Sequence, residues 1–133
     1  MRVIVYGPQS IQDQTAVDWA LDSFNKGVVQ IIDDNAIRDN ILTSIDEVVV
    51  MDKPGVSRLA INWAKTKHID VKVEKANAFF RGGAATMRNF KMMKRVGPKG
   101  MLIVIYDGED KFTKHLIEVA KKWFVPIKEI IIK

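Results

Sequence analysis

Four short segments combine glycine with polar or basic side chains and lead into helical patterns. They are Gly7-Pro8-Gln9-Ser10, Asp52-Lys53-Pro54-Gly55-Val56-Ser57-Arg58, Phe80-Arg81-Gly82-Gly83-Ala84-Ala85-Thr86-Met87-Arg88-Asn89 and Asp107-Gly108-Glu109-Asp110-Lys111-Phe112-Thr113. Glycine permits close backbone approach, and a helix N-terminus offers free N–H groups and positive potential, a combination that suits phosphate. Arginine, which grips phosphate bidentately and stays charged, stands at Arg81 and Arg88 in the third segment. From Arg81 to Lys99 there are six basic residues (Arg81, Arg88, Lys91, Lys94, Arg95, Lys99) and no acid, which points to an anionic partner or to a solvated basic face. The charge is asymmetric over the chain: residues 1–50 carry a net −5 and residues 51–133 a net +10.

Other chemistries find less support. The chain has no cysteine, so disulfides, thiolate metal sites and thiol nucleophiles are excluded. His68 and His115 lack metal-ligand spacing; His68 suits a helix C-terminus, and His115 lies one turn into a helix beside the fourth segment. Gly97-Pro98-Lys99-Gly100 lacks the spacing of a phosphate-binding Walker loop, and no Gly-x-Gly-x-x-Gly follows the first apolar run. No catalytic residue, metal or cofactor is assigned.

The elements that must hold these segments follow from hydrophobic patterning. Val- and Ile-rich runs at 3–6, 48–51, 71–73, 102–106 and 127–132 read as strands, the first, second and fourth apolar on both faces and hence covered on both sides. Between them lie amphipathic helical patterns. One joins Ala16, Val17, Ala20, Leu21 and Phe24 after a cap at Ser10 or Asp13; a second joins Val56, Leu59, Ala60, Trp63 and Ala64 after Pro54. A third joins Phe112, Leu116, Val119, Ala120 and Trp123 before Pro126. This alternation predicts an α/β, Rossmann-like, doubly wound parallel sheet of five strands in order 3-2-1-4-5 with helices on both faces. In such a sheet the four glycine segments all fall at the C-terminal rim, where ligands gather. Residues 28–45 read as a mostly helical insertion, Ile32, Ala36, Ile37, Ile41 and Ile45 sharing a face, the other option being a short extra strand followed by a helix. At 133 residues the chain is expected to be a single domain, large enough for a core without staples. No apolar run nears the roughly 20 residues of a membrane span, and Met1-Arg2-Val3-Ile4-Val5-Tyr6 is too short for a signal peptide, so a cytoplasmic protein is expected.

The four segments, in this order, resemble the SLOG superfamily of Rossmann-like domains, most closely its small YspA-type branch. That branch shows a glycine-serine turn after strand one, a Gly-Gly-Ala-x-Gly-Val-Asp-x-Leu-Ala element, a Gly-x-x-Arg-Asn element and an Asp-Gly-x-x-x-Gly-Thr turn. The counterparts here are Gly7 to Ser10, Met51 to Ala60, Gly83 to Asn89, and Asp107-Gly108 with Thr113. The similarity spans nearly the whole chain apart from residues 28–45. Asp52-Lys53 replace the paired glycines, Ser57 the aspartate, and Phe112 the glycine before Thr113.

The resemblance implies binding of a nucleotide or nucleotide-derived phosphate ligand, by a sensor or sequestering module. Arg81, Arg88 and Lys53 would pair with phosphates; Gly7, Gly55, Gly83 and Gly108 would let backbone approach; Asn89 and Thr113 would bond ribose or phosphate. Gln9, Ser10 and Asp107 complete the expected rim set. The alternative is a nucleoside-phosphate N-glycosidase or phosphoribohydrolase, as in the related LOG enzymes. Those carry a glutamate three residues after the threonine, where this chain has Leu116, and leucine neither activates water nor stabilises an oxocarbenium-like centre. A further alternative is nucleic-acid binding through the basic 81–99 segment, with Phe79, Phe80 and Phe90 as stacking platforms. A homo-oligomer is also expected, because SLOG domains often dimerise and Phe79-Phe80 and Trp123-Phe124 offer apolar contact surface.

Overall fold

Three strands whose residues are apolar on both sides need cover on both sides, and that requirement organises the molecule. The computed structural model describes residues 1–25, 27–33, 36–75 and 84–132. In chain order the elements are β1 (Arg2–Tyr6), α1 (Gln14–Phe24), β2 (Gly27–Asp33), β3 (Ala36–Thr43), β4 (Glu47–Met51) and α2 (Val56–Thr66). There follow β5 (Asp70–Glu74), α3 (Ala84–Val96), β6 (Met101–Tyr106), α4 (Lys111–Lys122) and β7 (Ile127–Ile131). Five strands form a wholly parallel sheet in the order β5-β4-β1-β6-β7, the 3-2-1-4-5 order of a doubly wound, Rossmann-like α/β fold. At its centre Ile4 stands opposite Val49 on one side and Leu102 on the other.

Strand side chains alternate between faces, so the three central strands β4, β1 and β6 each feed two cores. Val3, Val5, Val48, Val50, Ile103 and Ile105 pack beneath α1 and α2, against Val17, Leu21, Ala60 and Trp63. Ile4, Tyr6, Val49, Met51, Leu102 and Val104 pack beneath α3 and α4, against Met92, Met93, Leu116 and Ala120. Asp13 caps α1, accepting from the N–H groups of Thr15 at 3.0 Å and Ala16 at 3.4 Å. The fully buried Trp63 donates its indole N–H to Asp22 at 2.9 Å, which ties α2 to α1.

Two expectations are corrected. Residues 28–45 do not form a helical insertion: β2 and β3 pair as an antiparallel hairpin and its own two-stranded sheet, from Gly27 opposite Thr43 to Asp33 opposite Ala36, with a register shift between Ile31 and Ile32. The helical reading weighed only the spacing of Ile32, Ala36, Ile37 and Ile41. The β-branched density of Val28, Val29, Ile31 and Ile32, interrupted by Asp33-Asp34-Asn35, favours strands. Second, Phe112 and Trp123 are not on the buried face of α4. Phe112 is 74% exposed and Trp123 40%, because α4 begins only at Lys111 and Trp123 is its C-terminal cap; the buried face is Thr113, Leu116, Ile117 and Ala120. Among the described residues, no helix is long and apolar enough to cross a membrane.

Candidate functional site

The strand order reverses at β1, whose neighbours β4 and β6 are reached by crossovers on opposite faces, and this leaves a crevice beyond the strand ends. A cavity of about 260 Å³ occupies the rim there. Tyr6 and Met51, the last residues of β1 and β4, supply one wall, and Lys53 reaches in from the following loop. Thr86, Arg88 and Asn89 come from the first turns of α3, and Phe112, His115 and Leu116 from one face of α4. Lysine, arginine and histidine therefore meet two aromatic rings and an aliphatic wall, and no carboxylate lines the described cavity.

Arg88 dominates its electrostatics. The residue is only 9% exposed, and its Nε has no hydrogen-bond partner among the described residues. Burial lowers its pKa, opposed by interaction with Tyr6. Burial in turn raises the pKa of Tyr6, helped by Asp110 and opposed by Arg88, so the phenol stays neutral. The adjacent Asn89 Oδ1 is likewise buried and unpartnered. A buried guanidinium without an acid is costly to keep, and one that faces a cavity is poised to receive an anion. Lys53 Nζ lies 5.8 Å from the centre of the Phe112 ring. This holds the ring at the mouth of the site, where a flat apolar group could rest on it.

Of the expected rim residues, Lys53, Arg88 and Asn89 converge on the cavity. The others within the described residues are occupied elsewhere or stand apart. Thr113 is fully buried and donates its hydroxyl to Asp110 Oδ2 at 2.7 Å, while its N–H donates to the same oxygen at 2.9 Å; it serves the helix cap. Asp107 Oδ1 accepts from the N–H groups of Glu109 at 2.9 Å and Asp110 at 3.1 Å, bonds that hold its carboxyl below the usual range, and Gly108 follows in the same turn. Neither Asp107 nor Asp52 pairs with Arg88. A Cβ on Gly7 would run into the carbonyl oxygen of Ile105 and the side chain of Val56. Gly55, at φ +82°, would press a Cβ to 2.6 Å from Gln9 Cα and 2.7 Å from the Pro8 carbonyl oxygen. Gly7 thus lets the end of β1 pack against β6 and the start of α2, and Gly55 lets loop pack on loop. Gln9 and Ser10 are exposed in the turn before α1, outside the cavity lining. Arg81 and Gly83 lie outside the described residues.

Sequence reasoning left Tyr6, Met51, Thr86, Phe112, His115 and Leu116 out of the site. Strand alternation carried a signal for the first two, since both end central strands on the same face. Phe112, His115 and Leu116 fall at i, i+3 and i+4 of α4 and so share one face. Ser57 Oγ, in the first turn of α2, is buried without a partner and does not line the cavity. Among the described residues no three His, Asp or Glu side chains come together as a metal site would require. No family model matches the chain, and neither a curated protein nor a solved structure matches it.

Proposed function

We propose that the cavity binds a nucleotide or nucleotide-derived phosphate ligand, and that the protein is a sensor or sequestering module of the SLOG type. One observation carries the reading: Arg88, nine-tenths buried, lines the cavity with its Nε unpartnered and, among the described residues, no acid paired to it. A phosphate oxygen would supply the missing acceptor, in a setting where a charge-assisted bond is strong. Lys53 would add a second positive charge, Asn89 and Thr86 hydrogen bonds to phosphate or ribose, and Phe112 a surface for the base. Arg81, in the segment leading into α3, belongs to the same proposed phosphate set.

Binding without turnover is favoured over N-glycosidic hydrolysis. Leu116, at the position where the resemblance calls for a glutamate, turns its side chain to the cavity, so the site has leucine where the hydrolases have a carboxylate. The reading carries with it a cytoplasmic protein. Native mass spectrometry of the purified chain should show a co-purifying phosphate compound. Calorimetric titration with AMP should give binding that Arg88→Ala weakens ten- to a hundredfold, the range of one charge-assisted bond. The reading falls if no phosphate compound co-purifies and neither AMP nor inorganic phosphate raises the melting temperature.

A further inference from the structure

Away from the cavity, the outer surface of α3 and the end of α4 form a patch that the fold does not account for. Met87, Phe90, Lys91 and Lys94 recur at i, i+3, i+4 and i+7 of α3, and all four are exposed. Phe90 meets Trp123 edge to face with ring centres 4.9 Å apart, and Lys94 Nζ lies 5.9 Å from the centre of the Phe90 ring. Beside Trp123, Phe124 is 81% exposed. It occupies the left-handed position that closes α4, at φ 56°, with its N–H donating to the Lys121 carbonyl and that of Val125 to the Ala120 carbonyl. Glycine takes that position at least cost. Here an aromatic residue takes it and buries almost nothing in return. Lys91, Lys94 and Lys122 have no ion pair among the described residues, and α3 contains no acid.

We propose that this face binds single-stranded nucleic acid, with bases stacking on Phe124 and Trp123 and the phosphates tracking Lys91, Lys94 and Lys122. Stacking needs exposed ring faces and unstacked bases, which single strands offer and duplexes hide. The unpaired ammonium groups around the rings supply the charge complementarity that a polyanion requires. A second copy fits poorly: the patch residues carry ammonium groups and no carboxylate, so two such faces brought together would set like charges against one another. This proposal concerns a surface separate from the cavity and stands without the ligand proposed there.

The test uses the full chain and a fluorescein-labelled oligothymidylate of about 12 nucleotides, followed by anisotropy. Three to four phosphate contacts on a single strand give a log–log salt slope of about −2 to −3. Affinity should therefore fall about 20- to 50-fold between 50 and 200 mM salt. Phe124→Ala should weaken binding at least about fivefold, the loss of one stacked base. The double variant Lys91→Ala/Lys94→Ala, at exposed and unpaired positions, should flatten the slope by about 1.4. Absence of binding at 50 mM salt overturns the proposal, as does binding unchanged in both variants. It is equally overturned if Phe124→Ala instead abolishes a concentration-dependent dimer or the capture of an acidic protein, either of which would make the patch a protein interface.

Discussion

Replacing Arg88 by methionine should make the ligand-free protein more stable and the ligand-binding protein worse. Methionine keeps much of the alkyl stem that packs against the neighbouring core and removes the guanidinium. In the folded chain that group is nine-tenths buried, its Nε unpartnered, and burial lowers its pKa; in the unfolded chain it is fully hydrated. Leaving a buried polar group unpaired costs about 1–3 kcal/mol, more for a charge. Because one edge faces an open cavity, water recovers part of this, and a gain of about 1–2 kcal/mol is expected. For a chain of this length the entropy of melting is about 0.28 kcal/mol per kelvin, so the melting temperature should rise by about 4–7 °C. Scanning calorimetry without ligand reads that rise. The same scan with saturating AMP should raise the wild-type midpoint and raise that of Arg88→Met by much less, with titration showing a ten- to hundredfold loss of affinity. A fall of several degrees in the ligand-free midpoint, with affinity unaltered, would show that Arg88 holds the fold together and would refute the reasoning.

Gly55→Ala should cost about 2–4 kcal/mol, from a left-handed φ and from overlap with the backbone of Pro8 and Gln9, lowering the melting temperature by about 7–14 °C in calorimetry. Glu47 is gripped by Arg95 through two bonds of 2.6 and 2.7 Å, and chiefly for that reason its pKa is lowered. A lowered folded-state pKa means stability present above the ordinary glutamate value and lost as pH falls through it toward the folded one. Glu47→Gln should therefore lower the urea midpoint at pH 7, and the gap from wild type should close as the pH is taken down below the ordinary glutamate value of about 4.3. With Leu116 lining the cavity, AMP should yield no free adenine at a turnover near the ~10 per second typical of enzymes; chromatographic detection of adenine at that rate would contradict the binding reading.

Local pattern was enough for the sheet. Residues 3–6, 48–51 and 102–106 are apolar at every position, which only strands covered on both faces require, and the intervening helical spacings left the doubly wound order as the natural one. Asp13 announced the start of α1, and Arg88 with Asn89 stood at the right end of α3. Local pattern failed at residues 28–45, where helical spacing of isoleucines competed with β-branched propensity and the pairing of two strands decided between them. It also could not say which polar groups are already spent. Thr113 and Asp107 belong to the same rim as Arg88, yet their oxygens are taken by Asp110 and by the turn before α4. The missing Cβ atoms of Gly7 and Gly55 are used by neighbouring backbone and side chains. Tyr6 joined the site only because two strands 45 residues apart end side by side, bringing it to Met51 and under Arg88. Spacing along the chain fixes which face a residue occupies, since 3.6 and 2.0 are properties of the backbone. Whether a buried group finds a partner depends on segments distant in sequence, and among the described residues packing left the Nε of Arg88 without one.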